Sequence, residues 1–92
     1  GEIEAVLSAD ERLKEVAVVV EGSGMDARLV AYAVARDERL SLIALKRVCA
    51  ARLPRYMIID SVVYLSALPR TGNGKVDRAR LSPMAAHEER RA

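Results

Sequence analysis

Val16-Ala17-Val18-Val19-Val20-Glu21-Gly22-Ser23-Gly24-Met25-Asp26-Ala27-Arg28-Leu29-Val30-Ala31-Tyr32-Ala33-Val34-Ala35 holds two apolar runs separated by a polar, glycine-bearing stretch. Val16 to Val20 is continuous and largely β-branched, the composition of a central strand covered on both faces. Gly22, Ser23, Gly24 and Asp26 supply loop residues, so the chain is predicted to return as a hairpin into a second strand from Leu29 to Ala35. In that strand Val30, Tyr32 and Val34 share one face, and Leu29, Ala31, Ala33 and Ala35 share the other. The small residues of the alanine face predict a helix packed close against it.

Helices are read on both sides of this hairpin. Ile3, Val6 and Leu7 recur at i, i+3 and i+4, which predicts a short helix from Glu2 to about Ser8. Ser8 and Glu11 have the spacing of a capping box, which predicts a further helical turn before the first strand. Downstream, Ser41 is an N-cap for a helix running to about Leu53, where Pro54 stops it. Leu42, Leu45, Val48, Cys49 and Leu53 form its inner face, with Lys46, Arg47 and Arg52 outside. A third strand follows from Ser61 to Leu65. The order helix, strand, strand, helix, strand is α+β: a small mixed β-sheet of about three main strands plus a short hairpin, packed with two to three helices.

Composition narrows the functions open to such a unit. A chain of 92 residues makes one domain, with a modest core and little room for a deep two-substrate pocket, so a partner surface is expected. Aromatic content is 3%, all of it tyrosine, and the net charge is +2, which together argue against a nucleic-acid partner. The single cysteine, Cys49, cannot form an internal disulfide and fits a buried thiol in a reducing cytoplasm. No apolar stretch approaches the ~20 residues of a membrane span, so no membrane partner is expected. The acidic, helical start Gly1-Glu2-Ile3-Glu4 is unlike a signal peptide and reads as the continuation of a longer chain. His87 has no companions at metal-ligand spacing, so no metal site is assigned. No serine, histidine and acid set or carboxylate pair points to a hydrolase.

Leu68-Pro69-Arg70-Thr71-Gly72-Asn73-Gly74-Lys75-Val76-Asp77-Arg78 carries the chemistry. Its glycines and the Asn73-Gly74 pair predict a tight, exposed hairpin or loop. Asp77 is placed to cap a final helical turn through Leu81, Pro83 ends or redirects it, and Ala85 to Ala92 reads as a polar tail. Gly72 and Gly74 flank Asn73 without side chains, and Lys75 projects a flexible cation from the tip. Such a cation can neutralise a phosphate or carboxylate held by a different body of protein, then withdraw when the two bodies separate. A phosphate-binding P-loop is excluded, because Pro69 stands where that pattern needs glycine and Val76 where it needs serine or threonine.

Leu68 to Arg78 resembles the last core motif of the adenylate-forming superfamily, which includes nonribosomal peptide synthetase adenylation domains, acyl-CoA synthetases and luciferases. Gly1-Glu2-Ile3-Glu4 resembles the end of the motif after that family's interdomain hinge, and Leu53-Pro54-Arg55-Tyr56-Met57 its usual helix exit. The landmarks fall in family order from Gly1 to about Leu81. One departure is Ile59, where the family commonly has proline.

The resemblance implies a mobile C-terminal lid subdomain over residues 1–82, with a polar tail over 83–92. It is hinged to a larger N-terminal adenylation subdomain that binds ATP, Mg2+ and a carboxylic acid. Lys75 is then the catalytic lysine of acyl-adenylate formation. Gly72, Asn73 and Gly74 shape its loop near the nucleotide, and Gly1 and Glu2 lie next to the hinge. After adenylation the lid is expected to rotate and admit a thiol, from a carrier-protein phosphopantetheine or from coenzyme A. The wording of Thr71 to Asp77 leans toward carrier-linked amino-acid activation, and the chain alone is expected to be inactive. The basic exterior of Lys46, Arg47, Arg52 and Arg55 reads first as a solvated helix face, and second as a surface for an acidic carrier protein. The alternative reading is a free-standing α+β module that binds a protein or polyanion through its arginines.

Overall fold

Alternation along the second strand organises the molecule, because it sends large residues to one side of the sheet and small ones to the other. The computed structural model describes residues 1–81. In chain order they form helix α1 (Glu2–Ser8), strands β1 (Leu13–Glu21) and β2 (Arg28–Ala35), helix α2 (Leu42–Arg52) and strand β3 (Ser61–Tyr64). Short 3-10 turns occupy Gly24–Asp26, Arg55–Met57 and Arg78–Arg80. The α+β class and the mixed sheet are as expected: β1 and β2 pair antiparallel, and β3 joins β2 in parallel. The expectations for Ser82, Pro83, His87 and the tail lie outside the described residues.

Val30, Tyr32 and Val34 pack with Ala17, Leu65, Leu68 and Leu81 on one face of the sheet. On the other, Ala31 and Ala33 meet Leu7 of α1, Leu45 and Cys49 of α2, Leu13 and Ile59. The alanines have no bulk beyond Cβ, and large side chains from both helices fill the space over them. Leu7, Leu45 and Cys49 are fully buried there. Burial also pushes the Cys49 thiol pKa up, keeping it protonated, while the Ile59 N–H hydrogen-bonds its sulfur. The proline common in the resembling family at position 59 has no N–H to give.

Four local expectations need correction. The first valine run is not a central strand. Strand order is β1-β2-β3, so β1 lies at the edge and Val20 is 62% exposed. Five apolar residues in a row could not distinguish a strand covered on two faces from one partly covered by other segments. The capping box does not form either. Ser8 ends α1, and Asp10 folds onto Arg12, accepting from its backbone N–H and its guanidinium in a tight turn that leads into β1. That guanidinium holds the Asp10 carboxyl at about 2. At the other end, Asp77 occupies the N-cap position of the last turn without a side-chain capping bond. Lys46 is half-buried on α2, although helical spacing places it on the outer face.

Helix α2 otherwise follows its sequence signals. Ser41 Oγ accepts from the Ala44 N–H at 3.1 Å, and Leu53 leaves the helix in extended conformation before Pro54. Beyond it, Asp60 ties the start of β3 to β2, taking the Leu29 N–H at 2.7 Å and giving its own N–H to Leu29 O at 2.8 Å. Tyr64 closes the far end, accepting from Leu40 N–H at 3.0 Å and donating to Leu40 O at 2.9 Å.

Candidate functional site

Leu68 and Leu81, both buried in the same cluster, bracket an exposed hairpin with Lys75 near its tip. Arg70 and Val76 form an antiparallel bridge across the stem. Above it, Thr71 N–H donates to Lys75 O at 2.7 Å and Gly74 N–H to Thr71 O at 2.9 Å. Below it, Asp77 N–H donates to Pro69 O at 2.8 Å. Gly74 has φ +84°, whereas Gly72 and Asn73 keep negative φ values. This is a three-residue hairpin loop closed by a left-handed residue.

The two glycines therefore have different reasons to be there. An L-residue in the left-handed region costs roughly 1–2 kcal/mol, so Gly74→Ala is expected to destabilise the hairpin by about that amount. Gly72 has open space around an added Cβ and no left-handed φ. Gly72→Ala is expected to stay within about 0.5 kcal/mol of the parent. Thermal unfolding of the two variants checks the contrast, and equal effects would contradict the loop geometry.

Lys75 is exposed, and among the described residues its ammonium has no hydrogen-bond or ion-pair partner. Its arginine neighbours are committed. Arg70 pairs with Glu15 of β1 and also donates to Gly74 O at 3.4 Å. Arg78 donates to Val18 O at 2.9 Å and forks onto both carboxylate oxygens of Glu4, each at 2.7 Å. Glu4 also accepts the Val18 N–H at 3.0 Å. The Arg78 hydrogen bond outweighs partial burial and holds the Glu4 carboxyl below its usual range. No local pattern in the sequence signals these pairings. With Arg12–Asp10 and Arg28–Glu21, they spend four arginines on carboxylates, which weakens the polyanion-binding alternative.

Elsewhere the surface carries shallow clefts. One of about 300 Å³ is lined by Gly1, Glu2, Ile3, Glu4, Val18 and Met57, so Gly1 and Glu2 share a cleft with a residue of β1. A second, of about 350 Å³, runs beside Val20, Arg28, Arg55 and Tyr56. Neither is lined by Lys75. Among the described residues no group of three or more His, Cys, Asp and Glu could hold a metal ion, and no helix is long and apolar enough to cross a membrane.

Comparison with known proteins gives this geometry a family. Residues 2–75 match the family described as AMP-binding enzyme C-terminal domain, a match whose last residue is Lys75. The chain belongs to this family. A curated relative of the C-terminal domain is L-proline--[L-prolyl-carrier protein] ligase of Pseudomonas fluorescens. It is 58% identical over 83 residues, which cover 89% of this chain and 17% of that protein. Among solved structures, Klebsiella oxytoca NpsA in complex with 3-hydroxyanthranilyl-AMSN is 37% identical with TM-score 0.80, over 91% of this chain and 17% of that one. Mycobacterium tuberculosis fatty acyl CoA synthetase is 28% identical with TM-score 0.81, over 94% of this chain and 18% of that one. The C-terminal domain thus spans under a fifth of each of these longer chains. Its relatives are adenylate-forming ligases of the carrier-linked and coenzyme A classes.

Proposed function

We propose that this domain is the mobile C-terminal lid of an ATP-dependent ligase that activates a carboxylic acid, of the amino-acid class, and that Lys75 is its catalytic lysine. The observation that carries this reading is the partner-free ammonium on an exposed, glycine-closed hairpin whose roots are buried. A group held this way completes a site that lies on another body. Lys75 and its hairpin are what this domain would bring to the nucleotide, and ATP, Mg2+ and the acid are assigned to an N-terminal adenylation domain.

In the first step an acid oxygen bonds to the α-phosphorus as the bond to the departing pyrophosphate breaks. Negative charge gathers on the phosphoryl oxygens, and an ammonium placed beside them in a water-poor cleft stabilises that state more than the ground state. In the second step a thiol sulfur bonds to the acyl carbon, AMP leaves, and the thiol proton passes to a base. Lys75 has no role there, and rotation of the lid removes it. The name of the 58%-identical relative supports a carrier-protein phosphopantetheine, over coenzyme A, as the thiol.

The reading is tested by ATP–pyrophosphate exchange. The 92-residue chain alone is expected to show none, and exchange is expected once it is joined to its N-terminal domain. Exchange by the isolated chain, or by the N-terminal domain at full rate without it, would refute the assignment.

A further inference from the structure

We propose that Arg78 is a positioning residue for Lys75, one that locks the lysine hairpin to the edge of the sheet through Glu4 and Val18. The inference rests on the role given to Lys75 above and adds the question of how the domain sets that lysine's place. Strand β1 is one of the two edge strands, so its outward peptide groups lack a strand partner. At Val18 both are taken by side chains from distant parts of the chain. Glu4 of α1 accepts the N–H at 3.0 Å, and Arg78, three residues beyond Lys75, donates to the carbonyl at 2.9 Å.

Glu4 and Arg78 are themselves joined by a two-pronged ion pair, so helix, strand and hairpin exit meet in one closed knot. On the opposite stem Arg70 repeats the arrangement at lower order. It pairs with Glu15 of the same strand and reaches the carbonyl of Gly74, on the peptide that leads into Lys75. Clamped on both stems to β1, the backbone of Lys75 is fixed relative to the body of the domain. The ammonium then moves by its own rotamers or with the whole domain.

Magnitudes favour a positional role over a stabilising one. The Arg78 and Glu4 side chains are 48% and 21% exposed, and pairs near the surface contribute little to folding after solvent screening. A misplacement of about 1 Å in a reacting constellation, by contrast, can cost on the order of a hundredfold in rate. Small loosening of the hairpin should therefore be felt in catalysis well before it is felt in unfolding.

The test uses the chain joined to its N-terminal domain. Arg78→Gln is expected to lower kcat for adenylation by about ten- to a hundredfold, with KM for ATP and acid within about twofold. Thiol transfer from a supplied adenylate should stay near the parent rate. In a Lys75→Ala background the same change is expected to add no further loss, which a merely structural role would not produce. Glu4→Gln keeps an acceptor for Val18 N–H while removing the charge. It should shift the same parameters in the same direction, and it decides the matter if Arg78→Gln is recovered unfolded. Adenylation within about twofold of the parent, or an equal added loss on top of Lys75→Ala, overturns the inference. A silent Lys75→Ala would instead overturn the proposed function.

Discussion

Lys75→Ala, in a protein carrying both domains, is expected to slow acyl-adenylate formation about a hundredfold, a loss on the order of 3 kcal/mol of transition-state stabilisation. The size follows from removing one preorganised donor that also bears a full charge. The substitution should spare folding, because the side chain is exposed and has no partner among the described residues to leave unsatisfied. The two half-reactions should separate. Pyrophosphate exchange falls by the full factor, while thiol transfer from a supplied adenylate changes little. Equal losses in both would mean that Lys75 holds the domains together or binds something common to both steps, and the assignment would fail. Lys75→Arg is not a conservative control, since a planar guanidinium presents its donors in a different geometry from a point-like ammonium.

The part of this design that could be read from residues alone is the part encoded within a few positions. Ser41 and Pro54 delimit α2 through local backbone effects, and both act where expected. The alternation of Val30, Tyr32 and Val34 with Ala31 and Ala33 specifies two faces because strand periodicity is two, and the two clusters divide along it. The Asn73-Gly74 turn is local as well, and for that reason the lysine hairpin is legible in the residue order itself.

Illegible were the features set by distant partners. Nothing near Arg78 in the chain signals that its guanidinium meets Glu4, 74 positions away, and Arg70 gives no sign of Glu15. Strand order is likewise a global choice, so the β-branched run of β1 fitted a central strand as well as the edge it occupies. At Ser8 and Glu11 a local signal was present and lost to a competing one. Asp10 offers the Arg12 N–H and guanidinium a carboxylate at 2.7 to 2.9 Å, and that turn precludes another helical turn at the same residues.

Leu45→Ala is expected to be the most damaging single truncation on α2, at about 3 kcal/mol. Leu45 is fully buried against Ala31 and Ala33 of β2, with Leu7, Cys49 and Ile59 around it. The alanines are part of a paired strand and have no side chain to swing into the gap, so the site collapses poorly and the cavity term adds to the lost transfer energy. A domain of this size has a total stability of roughly 5–14 kcal/mol, so the loss is a large share, and Tm should fall by about 12–24 °C. Ile43, two residues earlier on the same helix and 65% exposed, supplies the contrast. Ile43→Ala removes as many carbons but leaves no cavity, and alanine is the better helix former, so its effect should lie within about 0.5 kcal/mol of zero. Calorimetric unfolding of the two variants measures the difference. If both lowered Tm alike, the inner face of α2 would not be the one that meets the alanine side of β2. The hairpin that presents Lys75 is rooted in the opposite cluster, through Leu68 and Leu81. Leu45→Ala should therefore reduce the folded population without changing the adenylation rate of the molecules that remain folded.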